Sequence, residues 1–164
     1  MHRAVVITAS DGVSAGVRED ASGAAVEARL TELGFAVDRV LVSDDVEELR
    51  AALTAAVADH ELVLTTGGTG LTPRDVTPQA TLAVIDYEVP GLAEAMRTAG
   101  RAITPLADLS RGVVGVRGRG LIVNLPGSPK GALESLAALE PVLEHALETL
   151  AGPFDHGADD GGPG

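Results

Sequence analysis

The sequence predicts an α/β fold: a mostly parallel sheet covered by helices on both faces, with an antiparallel hairpin at one edge. Short apolar runs rich in β-branched residues alternate with segments of helical period over the first part of the chain. Such alternation marks strand–helix–strand units, whose crossovers put helices on both faces of a parallel sheet. Two later runs are separated by too few residues for a crossover, so they must pair antiparallel. The connections after the runs concentrate glycine, hydroxyl and acidic residues, as expected where such a sheet binds ligands.

The elements follow in order. Residues 4–8 form the first strand-like run. Ala24, Val26, Leu30 and Leu33 then mark a helix that Gly34 stops. Residues 36–42 are the second run, and Val46, Leu49, Leu53, Ala56 and Val57 mark the next helix before the third run at residues 62–66. Thr77 is placed to cap a helix with Pro78 at its first position, carrying Ala80, Leu82, Ala83 and Ile85 inward. Pro90-Gly91 opens a helix to about Arg101, and Thr104-Pro105 begins one of a turn or two. Runs at 113–116 and 121–125 meet through Gly118-Arg119 or Arg119-Gly120. The last helix starts near Pro129 and heads for Leu150, with an interruption or kink expected at Pro141 and an end at Gly152-Pro153. Residues 1–152 are therefore expected as one domain. The glycine- and aspartate-rich remainder, 153–164, is expected as a disordered tail.

Composition narrows the function. The chain has 164 residues, 45% hydrophobic and 22% charged, within the range of a soluble globular domain. It has no cysteine, which removes disulfides, thiolate zinc sites and a cysteine nucleophile. A formal charge of −12 argues against general affinity for nucleic acid or anionic membrane. No apolar stretch approaches the roughly 20 residues that cross a bilayer, and the first residues lack a secretion pattern, so a cytoplasmic protein is expected. One tyrosine, two phenylalanines and no tryptophan leave no stacking platform for single strands.

The most informative stretch is Thr65-Thr66-Gly67-Gly68-Thr69-Gly70-Leu71-Thr72-Pro73-Arg74-Asp75-Val76-Thr77-Pro78. Its glycines allow close backbone approach, and successive exposed amides make a concave anion site. A carboxylate beside that cradle would repel a bare phosphate, so Asp75 makes sense with a divalent cation between them. This reads as a site for a magnesium-bound phosphate compound. It is neither a dinucleotide fingerprint nor a P-loop, since neither spacing is met. Three further connections follow strand ends: Ser10-Asp11-Gly12 and onward, Ser43-Asp44-Asp45, and Asn124-Leu125-Pro126-Gly127-Ser128-Pro129-Lys130. In a parallel sheet all four meet at one edge. Asp44 has two readings, helix N-cap or metal-site carboxylate, and capping needs only one of Ser43, Asp44 and Asp45. Lys130 is the sole lysine beside eleven arginines. It sits where a helix N-terminus disfavours a cation unless an anion is bound there. No histidine accompanies Ser10 or Ser128, so acyl-transfer triads are unsupported.

These residues together resemble the molybdopterin adenylyltransferase family of molybdenum-cofactor biosynthesis, including the related domains of plant and animal fusion proteins such as gephyrin. The resemblance rests on Thr65-Thr66-Gly67-Gly68-Thr69-Gly70 with Arg74-Asp75-Val76-Thr77-Pro78, on Val89-Pro90-Gly91, on Leu125-Pro126-Gly127 with Pro129-Lys130, and on Ser10-Asp11-Gly12. It implies a three-layer α/β/α fold and a homotrimer, with hexamers among close relatives. It also implies transfer of AMP from ATP to the terminal phosphate of molybdopterin, with Mg2+ and release of pyrophosphate. Asp44 and Asp75 match the family's two functional aspartates, as catalytic residues that position magnesium directly or through water. Ser10, Asp11, Thr66, Gly67, Gly68, Thr69, Gly70, Pro126, Gly127, Ser128 and Lys130 match regions that hold substrate. Two rival readings are a scaffold that binds molybdopterin without AMP transfer and a nucleotide pyrophosphatase of related fold.

Overall fold

The computed structural model describes residues 1–154. Strands β1 (Arg3–Ala9), β2 (Ala36–Val42), β3 (Leu62–Thr66), β4 (Tyr87–Glu88), β5 (Val114–Arg117) and β6 (Gly120–Leu125) form one sheet in the order β2-β1-β3-β6-β5-β4. The first three and β6 run parallel, whereas β5 is antiparallel to both β6 and β4. The turn between β5 and β6 is Gly118-Arg119, and Gly118 takes a φ of +58° that suits a glycine. The antiparallel hairpin lies at the expected end of the sheet, and the two-residue β4 extends it by one strand.

Helices α1 (Asp11–Ser14), α2 (Ala21–Glu32), α3 (Val46–Asp59), α4 (Thr77–Val84), α5 (Pro90–Arg101) and α6 (Pro129–Ala151) complete the chain, with a 3-10 turn over Pro105–Leu109. The pleat of the sheet divides its side chains between two cores. Val6, Leu64 and Val123 pack with Leu30 of α2, Met96 of α5 and Leu136 of α6. Ile7, Val63 and Ile122 pack on the opposite face with Leu49 of α3 and Ala80 of α4. Helices therefore sandwich the sheet in three layers, and the central strands read as continuous apolar runs because both faces are covered.

Local chemistry sets the helix starts. Asp20 caps α2 by accepting from the Gly23 amide at 3.0 Å, and Asp45 caps α3 by accepting from the Glu48 amide at 2.9 Å. Ser128 caps α6 through the Gly131 amide at 3.1 Å, with Pro129 as its first residue. Contrary to the expectation from sequence, Thr77 does not cap α4; it is the first residue inside that helix, following Val76. Its hydroxyl instead donates to the Gly67 carbonyl at 3.0 Å. Leu82 and Ala83 are exposed rather than inward, and Thr81 and Val84 take the buried positions. Helix α6 runs through Pro141 without interruption, although that residue gives it no backbone donor. All but the first two residues of the expected tail lie outside the described residues.

Candidate active site

The strand order reverses beside β1: the chain passes from β1 outward to β2, then back across to β3. The loops after β1 and β3 consequently diverge at the carboxyl edge of the sheet and leave a crevice, the place where open α/β sheets bind ligands. A cleft of about 500 Å³ occupies it, and its lining includes Ser10, Arg18, Ser22, Asp44, Gly67 and Asp75. Gly68, Thr66 and Gly127 also border it. The fold thus brings Asp44, from the loop after β2, and Asp75, from the loop after β3, to one cavity.

A ridge formed by residues 67–70 makes one wall. Gly67 and Gly68 have φ of +90° and +70°, in the region that penalises a β-carbon. A β-carbon on Gly67 would also come within 2.7 Å of the Ala9 carbonyl oxygen. Thr77 holds the ridge down: its amide donates to the Gly68 carbonyl at 3.2 Å while its hydroxyl donates to Gly67. The amide of Gly67 donates to the Leu125 carbonyl at 3.2 Å and so is not free for a phosphate, which narrows the cradle expected over 67–70. Among the described residues, the amides of Gly68, Thr69 and Gly70 donate to no protein acceptor. Three successive unpartnered donors are the physical content of an anion cradle.

The two aspartates are held in different ways. Asp75 closes a tight turn: its Oδ2 accepts from the Thr72 amide and hydroxyl, both at 2.9 Å, leaving Oδ1 without a protein donor among the described residues. Asp44 is not the cap of α3, since Asp45 does that, so its carboxylate is left for other work. Its Oδ2 accepts from the Asp11 amide at 3.2 Å, and its own amide donates to Asp11 Oδ1 at 2.8 Å, locking the loops after β1 and β2 together. Burial, and next the negative charge of Asp75, push the Asp44 carboxyl above the ordinary carboxylate range. Neither Asp44 nor Asp75 has a cationic side chain within salt-bridge distance among the described residues.

The remaining expected site residues divide. Asp11 is tied to Asp44 and to the guanidinium of Arg74, so it serves the loops rather than the cavity floor. Ser10 caps the short α1 through the Val13 amide at 3.3 Å while lining the cleft. Thr66 is fully buried, and its hydroxyl belongs to a chain running from Ser22 through Thr66 and Thr8 to Asp20, which Arg39 neutralises. Thr69, Gly70, Pro126 and Ser128 line a second cleft of about 470 Å³ rather than the first. Its other walls include Met96, Arg97, Leu106 and Leu109. Asn124 backs this cleft and joins three segments, donating to Thr65 and Thr81 and accepting from the Val113 amide. Lys130 joins neither cleft: its side chain is 82% exposed, 3.9 Å from Glu134. Arg18 was not singled out from the sequence, yet it lines the first cleft and makes no side-chain hydrogen bond among the described residues.

A switch-point crevice bordered by unpartnered amides and carrying Asp44 and Asp75 defines an α/β protein of the ligand-binding, doubly wound type. Its class is further specified by the family described as "Probable molybdopterin binding domain", which matches residues 5–145. The chain belongs to this family. It is 42% identical over 167 residues to the molybdopterin adenylyltransferase of Escherichia coli K12, covering 91% of this chain and 85% of that one. It is 41% identical over 156 residues to the molybdenum cofactor biosynthesis bifunctional protein of Synechococcus elongatus. That match covers 94% of this chain but 49% of the relative, so the chain spans about half that protein's length. The crystal structure of the molybdopterin biosynthesis enzyme MoaB from Thermus thermophilus is similar with a TM-score of 0.85 at 49% identity. The likeness covers 94% of this chain and 100% of the crystallised one.

Proposed function

We propose that the chain is a molybdopterin adenylyltransferase, joining AMP from ATP to the terminal phosphate of molybdopterin and releasing pyrophosphate. The observation that carries this reading is the pair of clefts on either side of one ridge: one whose lining carries Arg18 and four acidic residues, Glu19, Asp20, Asp44 and Asp75, and a second with apolar walls. A transfer between two phosphorylated reactants needs two sites that meet where the phosphates react, and residues 68–70 supply free amides at that meeting place. The name of the E. coli relative supports the same assignment, and that of the Thermus structure supports a place in molybdopterin biosynthesis.

The chemistry asks little of a general base. The terminal phosphate of molybdopterin is ionised at neutral pH and attacks the α-phosphorus of ATP in line, and pyrophosphate leaves with the electron pair of the broken P–O bond. The protein's tasks are alignment and relief of repulsion between like charges. The amides of Gly68, Thr69 and Gly70 would bind phosphate oxygens from the ridge, and Arg18 would add a cation in the first cleft. Two converging carboxylates without a cationic partner, one of them held above its ordinary pKa by burial and the other's charge, are a donor set suited to a divalent cation. Asp44 and Asp75 would hold Mg2+, directly or through water; bound there, it would screen phosphate charge. Lys130 would serve as an anion ligand only by swinging in from its exposed position. A homotrimer in the cytoplasm is part of the same reading.

Incubating the pure chain with molybdopterin, ATP and magnesium tests it. Adenylylated pterin with an equal yield of pyrophosphate is expected. Binding of pterin without turnover would instead make the chain a carrier, and pterin-independent cleavage of ATP would make it a pyrophosphatase.

A further inference from the structure

Arg111 lies between the 3-10 turn and β5, outside the segments that suggested a site from sequence, and its side chain turns back across the ridge. Its Nε donates to the Gly70 carbonyl at 2.8 Å and its Nη2 to the Asp75 carbonyl at 2.7 Å. Nη1 reaches Gln79 Oε1 at 3.3 Å, and the Arg111 amide donates to the Thr69 carbonyl at 2.9 Å. No carboxylate lies within salt-bridge distance of this guanidinium among the described residues. Its donors are directed at main-chain carbonyls and one amide side chain, an arrangement that fixes backbone rather than neutralising an acid.

The two carbonyls stand at the ends of an outward bulge in which Leu71, Thr72, Pro73 and Arg74 are all exposed. Gly70 faces the second cleft and Asp75 the first, so one planar group pins both sides of the ridge. The ends are also in contact: a β-carbon on Gly70 would lie 2.8 Å from Asp75 Oδ2. Arg97 in turn donates to the carbonyls of Ser110 and Gly112, at 3.3 and 3.0 Å, and so holds the residues on either side of Arg111.

We propose that Arg111 is a positioning residue for the transfer reaction: by clamping the carbonyls of Gly70 and Asp75 together, it fixes the distance between the free amides of the ridge and the free Asp75 oxygen. It touches neither reactant. The proposal rests on the adenylyltransferase reading for its kinetic consequence but not for its structural one. A planar fork reaches two carbonyls at once in fixed geometry; an ammonium on a flexible stem keeps the charge without that geometry.

The discriminating variant is Arg111→Lys, measured beside the parent by steady-state AMP transfer, thermal melting and hydrogen exchange. A fall in kcat of about 100-fold is expected, the scale of a misplacement near 1 Å. KM for both substrates should stay within about threefold of the parent, because the ligand-contacting groups remain. The hydrogen-bonded amides of Thr72, Asp75 and Thr77 should exchange faster while those of the central strands are unchanged. A merely structural arginine would lower the melting temperature and leave kcat alone, and a charge requirement would be met by lysine; either result overturns the proposal. Unchanged exchange at Thr72, Asp75 and Thr77 overturns it even if no transfer is detected. An inactive parent with faster exchange in the variant would leave the clamp standing and refute the adenylyltransferase reading. Should Arg111→Lys fold poorly, Arg111→Gln, which can donate to one carbonyl only, takes its place with the same expected results.

Discussion

Asp44 and Asp75 share a cavity, and the consequence can be measured without any substrate. Burial and the Asp75 charge hold the Asp44 carboxyl above its ordinary range, so ionisation is less favourable in the folded chain than in the unfolded one. The stability linked to this group is therefore fully present below the unfolded value of about 3.9. It is lost as pH rises through the raised folded value. Asp44→Asn keeps an oxygen for the Asp11 amide and removes the charge. It should melt at a higher temperature than the parent at neutral pH, with the gap closing toward about pH 4. An equal or lower melting temperature at neutral pH would show that the pair is not in repulsion. Asp75 stood out in the sequence as a carboxylate within a glycine-rich run, whereas Asp44 had a helix-cap reading beside it and drew its role from the family resemblance. Arg111 and Arg18 were not, since a guanidinium that binds main-chain carbonyls or lines an open cleft leaves no spacing to read.

The central strands were readable for a physical reason: β1, β3 and β6 are covered on both faces, so each is an almost unbroken apolar run. The short elements lacked that signal. α1 has four residues and β4 two, and Tyr87 and Glu88 of β4 are exposed, so no apolar period exists to find. The inward face of α4 was misjudged because hydrophobicity chose Leu82 and Ala83, whereas hydrogen bonding chose Thr81, whose hydroxyl accepts from Asn124 at 2.9 Å. In α6, the continuous apolar face with buried Leu139 and Leu143 on either side of Pro141 outweighs the lost donor. Pro141 is exposed, so Pro141→Ala should restore a backbone hydrogen bond without disturbing the core and stabilise the fold by about 1 kcal/mol or more. That corresponds to a rise of roughly 2–4 °C in melting temperature for a chain of this length. A decrease would mean that the helix depends on the proline's rigidity.

At the scale of the whole molecule, the loops after four parallel strands meet at one edge, as the alternation of strands and helices implied, but their division between two clefts was not foreseen. One ridge separates the clefts. Thr77 holds it at Gly67 and Gly68, and Arg111 at Gly70 and Asp75. The strongly acidic chain must offset the charge of its phosphorylated ligands locally, with ridge amides, Arg18 and a bound cation, because its overall field repels anions. Sedimentation equilibrium should give three chains per particle, as the family resemblance implies; a monomer at micromolar concentration would remove the trimer from the proposal. The most direct test of the central claim is AMP transfer to molybdopterin by the parent and by Asp75→Asn under identical conditions with magnesium. The parent should form adenylylated pterin and pyrophosphate in equal amounts, while the folded variant loses nearly all of that rate. Equal rates for the two proteins would contradict the claim that the paired carboxylates organise the reaction.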